Sequence, residues 1–305
     1  MYHKTNTTKK RLTDLLEPEF MARLDSLDVM SRKILQGKLH GERRSKRRGQ
    51  SVEFADHRQY VSGDDLRFID WNIYGRLEKL FLKEFTPEYE GRVLLLLDAS
   101  ASMGLYGKFD FARKVLAALA YIGINGRDRV VVTAFDGAGV RSVAPRSGIS
   151  GYCELLEFLG GLQTAGRGGF RAAAEKALPL VSGTGRGRAL WISDFWAEPA
   201  DLQGCMYPVQ NGFDVSLVRI LGLEESSPGI DGPVELVDSE TGQRLMVGGS
   251  DESMAAFECS SLEFSAGLEQ MVQRHHGQLL PAAVSDHFEA VVLDLVRRAG
   301  MVESR

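Results

Sequence analysis

The sequence predicts an α/β protein whose core is a mainly parallel, Rossmann-like sheet with helices on both faces. Continuous apolar runs of strand length alternate along the chain with segments whose composition is typical of helices. This alternation favours right-handed βαβ units, in which each strand is covered on both faces. Two of the runs also end in an aspartate, Asp98 and Asp194. The four predicted strands are residues 93–97, 129–135, 189–193 and 215–221.

The other elements of this region are predicted from periodicity and turn residues. Residues 140–143 are expected to form a short edge strand, and residues 277–281 a last strand. Residues 233–247 predict a hairpin insertion whose turn lies at Thr241 and Gly242. Helices are predicted at residues 109–124, 153–162, 172–180, 201–209, 252–275 and 288–298.

The first 90 residues have a different character. Apolar residues recur every three or four positions between 14 and 39, which predicts an amphipathic helix. The basic segment 41–50, GERRSKRRGQ, has no such periodicity and predicts a loop. Alternating apolar residues around 52–54, 69–73 and 80–84 predict a small β-rich subdomain. The predicted organisation is a tail and helix at 1–40, a basic loop and β-rich subdomain at 41–90, and the α/β domain at 91–305.

Composition excludes several classes of protein. With 44% hydrophobic and 26% charged residues, the chain is not largely disordered. No apolar run approaches the ~20 residues of a membrane span, and the N-terminal MYHKTNTTKKR lacks the apolar core of a secretory signal. The three cysteines have no metal-ligand spacing, so we predict buried free thiols and a cytoplasmic protein.

The charge is unevenly distributed. Residues 1–50 hold 13 Lys and Arg against 6 Asp and Glu, whereas the rest of the chain holds 24 against 35. A basic head on an acidic body is expected to contact something anionic. That anion is either a partner or the protein's own acidic surface. Arg44, Arg47 and Arg48 are the candidate partner-binding residues.

Asp98 and Asp194 also define the candidate site, because open α/β sheets bind ligands at the carboxyl ends of their strands. After Asp98, the hydroxyls of Ser100 and Ser102 follow at alternate positions of a short loop. Hard oxygen donors of this kind suit Mg²⁺ or Mn²⁺, with Asp194 contributing through a bound water. Such a cation could also accept a carboxylate from a partner. The alternative is that these residues only cap the following helix.

Two motifs resemble known sequences. LLLLDASASM, ending at Met103, resembles the first motif of von Willebrand factor type A domains, the metal-ion-dependent adhesion site. ALWISDF, residues 189–195, resembles a later strand motif of that fold. The resemblance implies a type A fold and a divalent cation. One position departs from it, since the usual threonine after two glycines is Phe170 here, and a phenyl ring cannot coordinate Mg²⁺. Thr164 is the candidate substitute, so the site is expected to be weakened or vestigial.

The segment before the α/β domain resembles the signature of the bacterial domain of unknown function 58 family. That resemblance implies a soluble partner of a MoxR-type AAA+ ATPase, acting as an adaptor or substrate holder, and implies no enzymatic activity. The matching residues are Gly41, Arg44, Ser45, Gly49, Glu53, Phe54, Arg58, Tyr60, Gly63, Asp64, Arg67, Ile69, Asp70, Trp71 and Arg76.

Three functions remain open from the sequence. The first is a non-catalytic interaction module that uses the strand-end residues. The second is a metal-dependent hydrolase at the same place, although no His, Lys or Cys is predicted beside either aspartate to serve as base or nucleophile. The third is a nucleic-acid binder through the basic segment 43–48, which lacks the interleaved aromatic residues of a recognised module.

Overall fold

The computed structural model describes residues 19–20, 22–28, 30, 53–59, 73–75, 80–86, 91–181, 187–222, 234–240, 242–248 and 251–300. The chain divides into two compact units, residues 41–90 and residues 1–40 with 91–305. In the first of these units, strands β1 (Glu53–Gln59) and β2 (Phe81–Thr86) pair antiparallel. Residues 73–75 are helical, so the predicted strand alternation through Ile73 is wrong.

The larger unit contains a six-stranded sheet. Its strands are β3 (Arg92–Asp98), β4 (Arg129–Asp136), β5 (Gly139–Val143), β6 (Gly187–Ser193), β7 (Phe213–Leu221) and β10 (Gln278–Ala283). Their order is β10-β7-β6-β3-β4-β5, and every pair is parallel except β4 with β5. The predicted mainly parallel, Rossmann-like α/β fold is therefore confirmed, with the antiparallel edge strand where the sequence placed it.

Helices cover both faces of this sheet. They are α1 (Lys108–Asn125), α2 (Ile149–Gly160), α3 (Phe170–Ala177), α4 (Pro199–Leu202), α5 (Asp251–Arg274) and α6 (Phe288–Arg298), with a 3₁₀ segment at Gln203–Asn211. Strands β8 (Val234–Val237) and β9 (Arg244–Val247) form the predicted hairpin. None of the helices within the described ranges combines the length and apolar character needed to cross a bilayer.

Side-chain alternation along β3 explains why helices are needed on both faces. Val93, Leu95 and Leu97 face a core shared with α1, α2 and α6, while Leu94 and Leu96 face a second core shared with α3 and α5. Successive strand residues point to opposite faces, so a continuous apolar run fills two cores at once.

The amphipathic helix predicted near the N-terminus belongs to the first of these cores. Residues 22–28 are helical, and Phe20, Leu24 and Leu27 are buried there. Met30 was expected on the same face but is about half exposed. Met30 therefore does not share the buried face, and Leu16, Ile34 and Leu35 of the predicted stripe lie outside the described residues.

The cysteines differ from the prediction. Cys205 is buried in the second core, whereas Cys153 and Cys259 are exposed on helices α2 and α5. The prediction of three buried thiols is wrong for these two, because each lies on the solvent side of its helix, which the residue type alone does not reveal.

Candidate functional site

The ends of β3 and β6 meet at the centre of the sheet. The two strands are parallel neighbours, with Leu97 opposite Ile192, so Asp98 and Asp194 leave the sheet at the same edge. From β3 the chain proceeds to β4 on one side, and from β6 to β7 on the other. This reversal is the topological switch point at which open α/β sheets form a crevice. We call Asp98, Ser100, Ser102 and Asp194 the strand-end site.

Asp98 is buried and is hydrogen-bonded by neutral groups. The Ser100 backbone N–H donates to its Oδ1 at 2.8 Å, and the Ser193 hydroxyl donates to its Oδ2 at 2.6 Å. Burial raises the pKa of Asp98 to about 6; the Ser193 hydrogen bond opposes this rise and the charge of Asp194 adds to it. Asp98 is thus an aspartate whose ionised form is disfavoured by its surroundings.

Asp194 has a cationic partner that the sequence analysis missed. The Lys108 ammonium lies 2.7 Å from Asp194 Oδ2, and neither side chain is more than 1% exposed. Lys108 is the first residue of α1, where a cation opposes the helix dipole. That unfavourable position is the one sequence signal that could have indicated a nearby acidic partner.

The turn after β6, which carries Asp194, has a strained backbone that local hydrogen bonds support. Phe195 is fully buried and has a φ of 61°, in the left-handed region that bulky residues avoid. Its N–H donates to Ser193 Oγ at 2.8 Å, and the Trp196 N–H donates to Asp194 Oδ1 at 3.2 Å. Ser193 therefore links the two strand ends, because its hydroxyl contacts both Asp98 and this turn.

The two loop serines lie together. The Oγ atoms of Ser100 and Ser102 are 3.0 Å apart. Adjacent ligands of an octahedral cation with ~2.1 Å bonds are separated by roughly the same distance, and so are two hydrogen-bonded hydroxyls. The spacing is thus compatible with either state.

The loop that carries Thr164 packs along the Asp98 loop. The Ala165 N–H donates to the Ala99 carbonyl at 2.9 Å, and the Ala101 N–H donates to the Gly166 carbonyl at 2.8 Å. Thr164 Oγ1 lies against Gly104, 2.7 Å from where a Cβ on that glycine would stand. A Cβ at position 104 would collide with the Thr164 side chain, so the glycine permits this close approach of the two loops.

Phe170 lies in the second core and not in the loop. Its ring packs at 5.1 Å from the Phe135 ring, 5.5 Å from Trp191 and 5.9 Å from Phe195. Phe170 therefore stabilises the packing beneath the strand-end site, a role that a threonine could not perform.

A further acidic residue reaches the site from the β8–β9 hairpin. The Arg167 guanidinium Nε lies 3.8 Å from Glu240 Oε2, and hydrogen bonding by the Ser102 hydroxyl lowers the pKa of Glu240. Partial burial raises the pKa of Glu240, Arg167 lowers it, and Asp194 raises it. Sequence reasoning missed Glu240, because the hairpin sequence shows where the turn lies but not which loop the turn contacts.

These groups supply only part of the donor set of a metal-ion-dependent adhesion site. The hydroxyls of Ser100 and Ser102 are suitable donors, but Asp194 is already neutralised by Lys108 and Phe170 lies in the core. Within the described ranges, no group of three or more His, Cys, Asp and Glu residues could hold a metal ion. The residues do not fit a complete site of that kind, and the cation they do provide is an ammonium.

The nearest thiol is not a reactive one. Cys205 is fully buried, and burial, followed by the charge of Asp98, raises the pKa of its thiol well above the ordinary value. Its backbone carbonyl accepts the Trp191 indole N–H at 2.9 Å. A thiol that stays protonated and excluded from solvent is a poor nucleophile.

The profile of a family described as "Protein of unknown function DUF58" matches residues 56–263. This chain belongs to that family. The resemblance seen in the sequence before the α/β domain is confirmed by this match, and the DUF58 segment includes both strand ends and Glu240.

The relatives of this DUF58 protein include two mycobacterial chains. The uncharacterized proteins Mb1516 of Mycobacterium bovis and Rv1480 of Mycobacterium tuberculosis are each 27% identical to it over 236 residues, which is 75% of this chain and 74% of the relative.

Similar solved structures share low sequence identity with it. BatB from Bacteroides thetaiotaomicron is 14% identical, with a TM-score of 0.44 over 69% of this chain and 98% of that one. The SpRpn10 VWA domain is 10% identical, with a TM-score of 0.40 over 70% and 98%. Proximal thread matrix protein 1 from the mussel byssus, solved with a zinc-occupied MIDAS motif, is 10% identical, with a TM-score of 0.39 over 69% and 47%.

The other predicted contact residues, Arg44, Arg47 and Arg48, lie outside the described residues, as does the Gly63 to Trp71 part of the family signature. Their assignment to partner binding stays a prediction from the sequence.

Proposed function

We propose that this protein is a non-catalytic interaction module that engages another protein through the strand-end site. The observation that carries the proposal is the convergence of Asp98, Ser100, Ser102 and Asp194 at the switch point of the sheet, where Arg167 also faces the Glu240 carboxylate at 3.8 Å. Such a site can recognise an acidic side chain by hydrogen bonding.

The absence of an activated nucleophile among the described groups at this site also favours binding over catalysis. The Ser193 hydroxyl donates to Asp98 and accepts a hydrogen bond from the Phe195 N–H, so it holds the turn together and is not directed at a substrate. The Lys108 ammonium is paired with Asp194 and fully buried. A general base or nucleophile must instead be able to reach a substrate.

The partner that we propose is a MoxR-type AAA+ ATPase or its substrate, met in the cytoplasm. This choice rests on the DUF58 family to which the chain belongs, because the resemblance to that family implies a MoxR-type ATPase as the partner. In this role the protein acts as an adaptor or substrate holder, and the basic residues Arg44, Arg47 and Arg48 provide a second contact for an acidic surface.

The expected Mg²⁺ or Mn²⁺ remains a prediction from the sequence. Asp98, Ser100, Ser102 and Asp194 are the residues that would hold the ion, with Thr164 as the weaker candidate, and Lys108 would compete with the ion for Asp194. When bound, such an ion would offer one coordination position to a partner's carboxylate. Calorimetric titration with MgCl₂ and MnCl₂ tests this, and the absence of binding heat at millimolar concentrations contradicts it.

The function is tested by retention of a purified MoxR-type ATPase from the same genome on the immobilised full chain. The double substitution Ser100→Ala/Ser102→Ala removes both site hydroxyls and is expected to lower retention about tenfold, as loss of a central contact does. The matched control is Ser150→Ala, because Ser150 is exposed at the start of α2, after the antiparallel strand β5.

Circular dichroism checks that both variants are folded. Equal retention by the double variant and by the Ser150 control would contradict the strand-end site as the contact. No retention by the unsubstituted chain would contradict the ATPase as the partner.

A further inference from the structure

The β8–β9 hairpin places an acidic side chain where an acidic ligand of the site would bind. Glu240 lies between the two hairpin strands, in the turn segment, and its side chain is only 12% exposed although its neighbours in the hairpin are exposed. The Glu240 carboxylate faces the Arg167 guanidinium at 3.8 Å, and hydrogen bonding by the Ser102 hydroxyl lowers its pKa. One hydroxyl donor and one guanidinium are together a suitable pair for a carboxylate.

Arg167 is held in position by other acidic residues. Its guanidinium lies 3.1 Å from Asp201 and 3.7 Å from Glu198, both at the start of α4. The loop that carries it is fixed to the Asp98 loop through the Ala101 N–H bond to Gly166. Ser102 and Arg167 are therefore preorganised by elements of the α/β domain, whereas Glu240 is supplied by an inserted hairpin.

The apolar hairpin side chains that the structure describes bury little surface. Val237, Leu245 and Met246 are 53%, 64% and 68% exposed, so these three apolar side chains contribute little burial. The cross-strand pair between Glu235 and Arg244, at 3.1 Å, is exposed as well. A two-stranded hairpin is marginally stable by itself, and the ion pair between Glu240 and Arg167 joins its turn to the site.

We propose that Ser102 and Arg167 form a carboxylate-binding subsite that works without a divalent metal ion, and that Glu240 occupies it in the free protein until an acidic side chain of a partner displaces the hairpin. This inference rests on the proposed function and adds its regulation. The ligand class is a Glu or Asp side chain in an extended segment. The apparent affinity of the free protein for such a segment is the affinity of the open form multiplied by the fraction of molecules in which the hairpin is open.

The first test is hydrogen–deuterium exchange of the full chain, read at the hairpin amides. The Asp238 and Gly242 N–H groups donate to Gln243 and Asp238 carbonyls, so their exchange reports opening of the hairpin. Glu240→Gln is expected to accelerate their exchange about tenfold. The matched control is Glu235→Gln, which removes a carboxylate from the same hairpin without touching the site and is expected to leave exchange within about twofold. Equal exchange in the two variants overturns the proposal.

The second test measures binding in trans. The probe is a fluorescein-labelled peptide of residues 234–247, VELVDSETGQRLMV, followed by fluorescence polarisation. It is expected to bind the Glu240→Gln protein about tenfold more tightly than the unsubstituted protein, because the subsite is then vacated. The same peptide with Glu240→Gln, or the protein with Ser102→Ala added, is expected to lose this gain. Binding that disappears in EDTA, or that does not depend on the peptide's glutamate, overturns the proposal.

ATPase retention separates failure of this proposal from failure of the proposed function. Glu240→Gln is expected to retain about tenfold more MoxR-type ATPase than Glu235→Gln. The hairpin proposal is overturned if both variants and the unsubstituted protein retain the ATPase equally and the two variants also exchange equally. The proposed function as an interaction module is then unaffected. If the expected differences in amide exchange and peptide affinity are observed but no ATPase is retained, the carboxylate subsite is supported and the ATPase is overturned as the partner.

Discussion

The two aspartates at the strand ends have the same sequence context and opposite electrostatic environments. Asp194 at the end of β6 is paired with the buried ammonium of Lys108 at 2.7 Å. Asp98 at the end of β3 is held by a serine hydroxyl and a backbone N–H, and its pKa is raised to about 6. One carboxylate is thus part of a neutral structural pair, while the other keeps a charge that its surroundings do not compensate. The contrast shows that an aspartate after a buried strand is not by itself a metal ligand.

The largest effect is expected from removing the cation of the neutral pair. Lys108→Met leaves Asp194 buried without its partner and should lower the free energy of unfolding by about 3–5 kcal/mol, measured by urea denaturation at pH 8. Lys114→Met, on the same helix but partly exposed, is the control. The double variant Lys108→Met/Asp194→Asn should recover part of the loss. A change below about 1 kcal/mol for Lys108→Met would show that the pair does not stabilise the fold.

A smaller loss is expected from cutting the link between the two strand ends. Ser193→Ala removes the hydrogen bond to Asp98 and leaves the Phe195 N–H without its acceptor, which should cost about 2 kcal/mol at pH 8. The loss should be smaller at pH 5, because a hydrogen bond to a protonated carboxyl is weaker than one to a carboxylate. Equal losses at the two pH values would contradict an ionised Asp98 at pH 8.

Neutralising the uncompensated carboxylate is expected to stabilise the protein. Because the pKa of Asp98 is higher in the folded protein (about 6, against an ordinary 3.8), the folded state keeps a proton that the unfolded chain has lost between about pH 4 and pH 6. The contribution of Asp98 to the free energy of unfolding therefore falls as the pH rises through this window, and the full penalty is present above it.

Asp98→Asn removes this penalty and should raise the free energy of unfolding by about 1–2 kcal/mol at pH 8, since part of the gain is lost with the Ser193 hydrogen bond. The measurement is urea denaturation between pH 4 and pH 8 in the variant and the unsubstituted protein. Their difference should shrink toward zero near pH 4. A variant that is less stable than the unsubstituted protein at every pH would show that the carboxylate is compensated after all.

The smallest effect on stability is expected at Ser102, the partly buried residue of the strand-end site. Ser102 is only partly buried, so Ser102→Ala should change the free energy of unfolding by less than about 0.5 kcal/mol, measured by thermal and urea denaturation. A loss above about 2 kcal/mol would show that Ser102 stabilises the fold, as the pair of Lys108 and Asp194 does. The binding experiments on this residue would then report unfolding.

The sequence by itself determined the fold class, the strand positions within the α/β domain and the family. A run such as Val93 to Leu97 is buried on both faces, and this is visible locally because every residue must be apolar. The alternating oxygens of Asp98, Ser100 and Ser102 were visible for the same reason, since their spacing lies within one loop. The meeting of Asp98 with Asp194 followed from the rule that parallel strands end at one edge.

Only the tertiary structure decided the partners of these groups. Lys108 and Asp194 are 86 residues apart in the chain, and Ser102 meets Glu240 through an inserted hairpin. Phe170 turns into the second core because three aromatic rings surround it there. Periodicity shows which face of an element is buried but not what the opposite element carries. The charge balance of a buried site depends on the side chains of the opposite element. The connections between the strands bring that element to the site, so only the tertiary structure shows it.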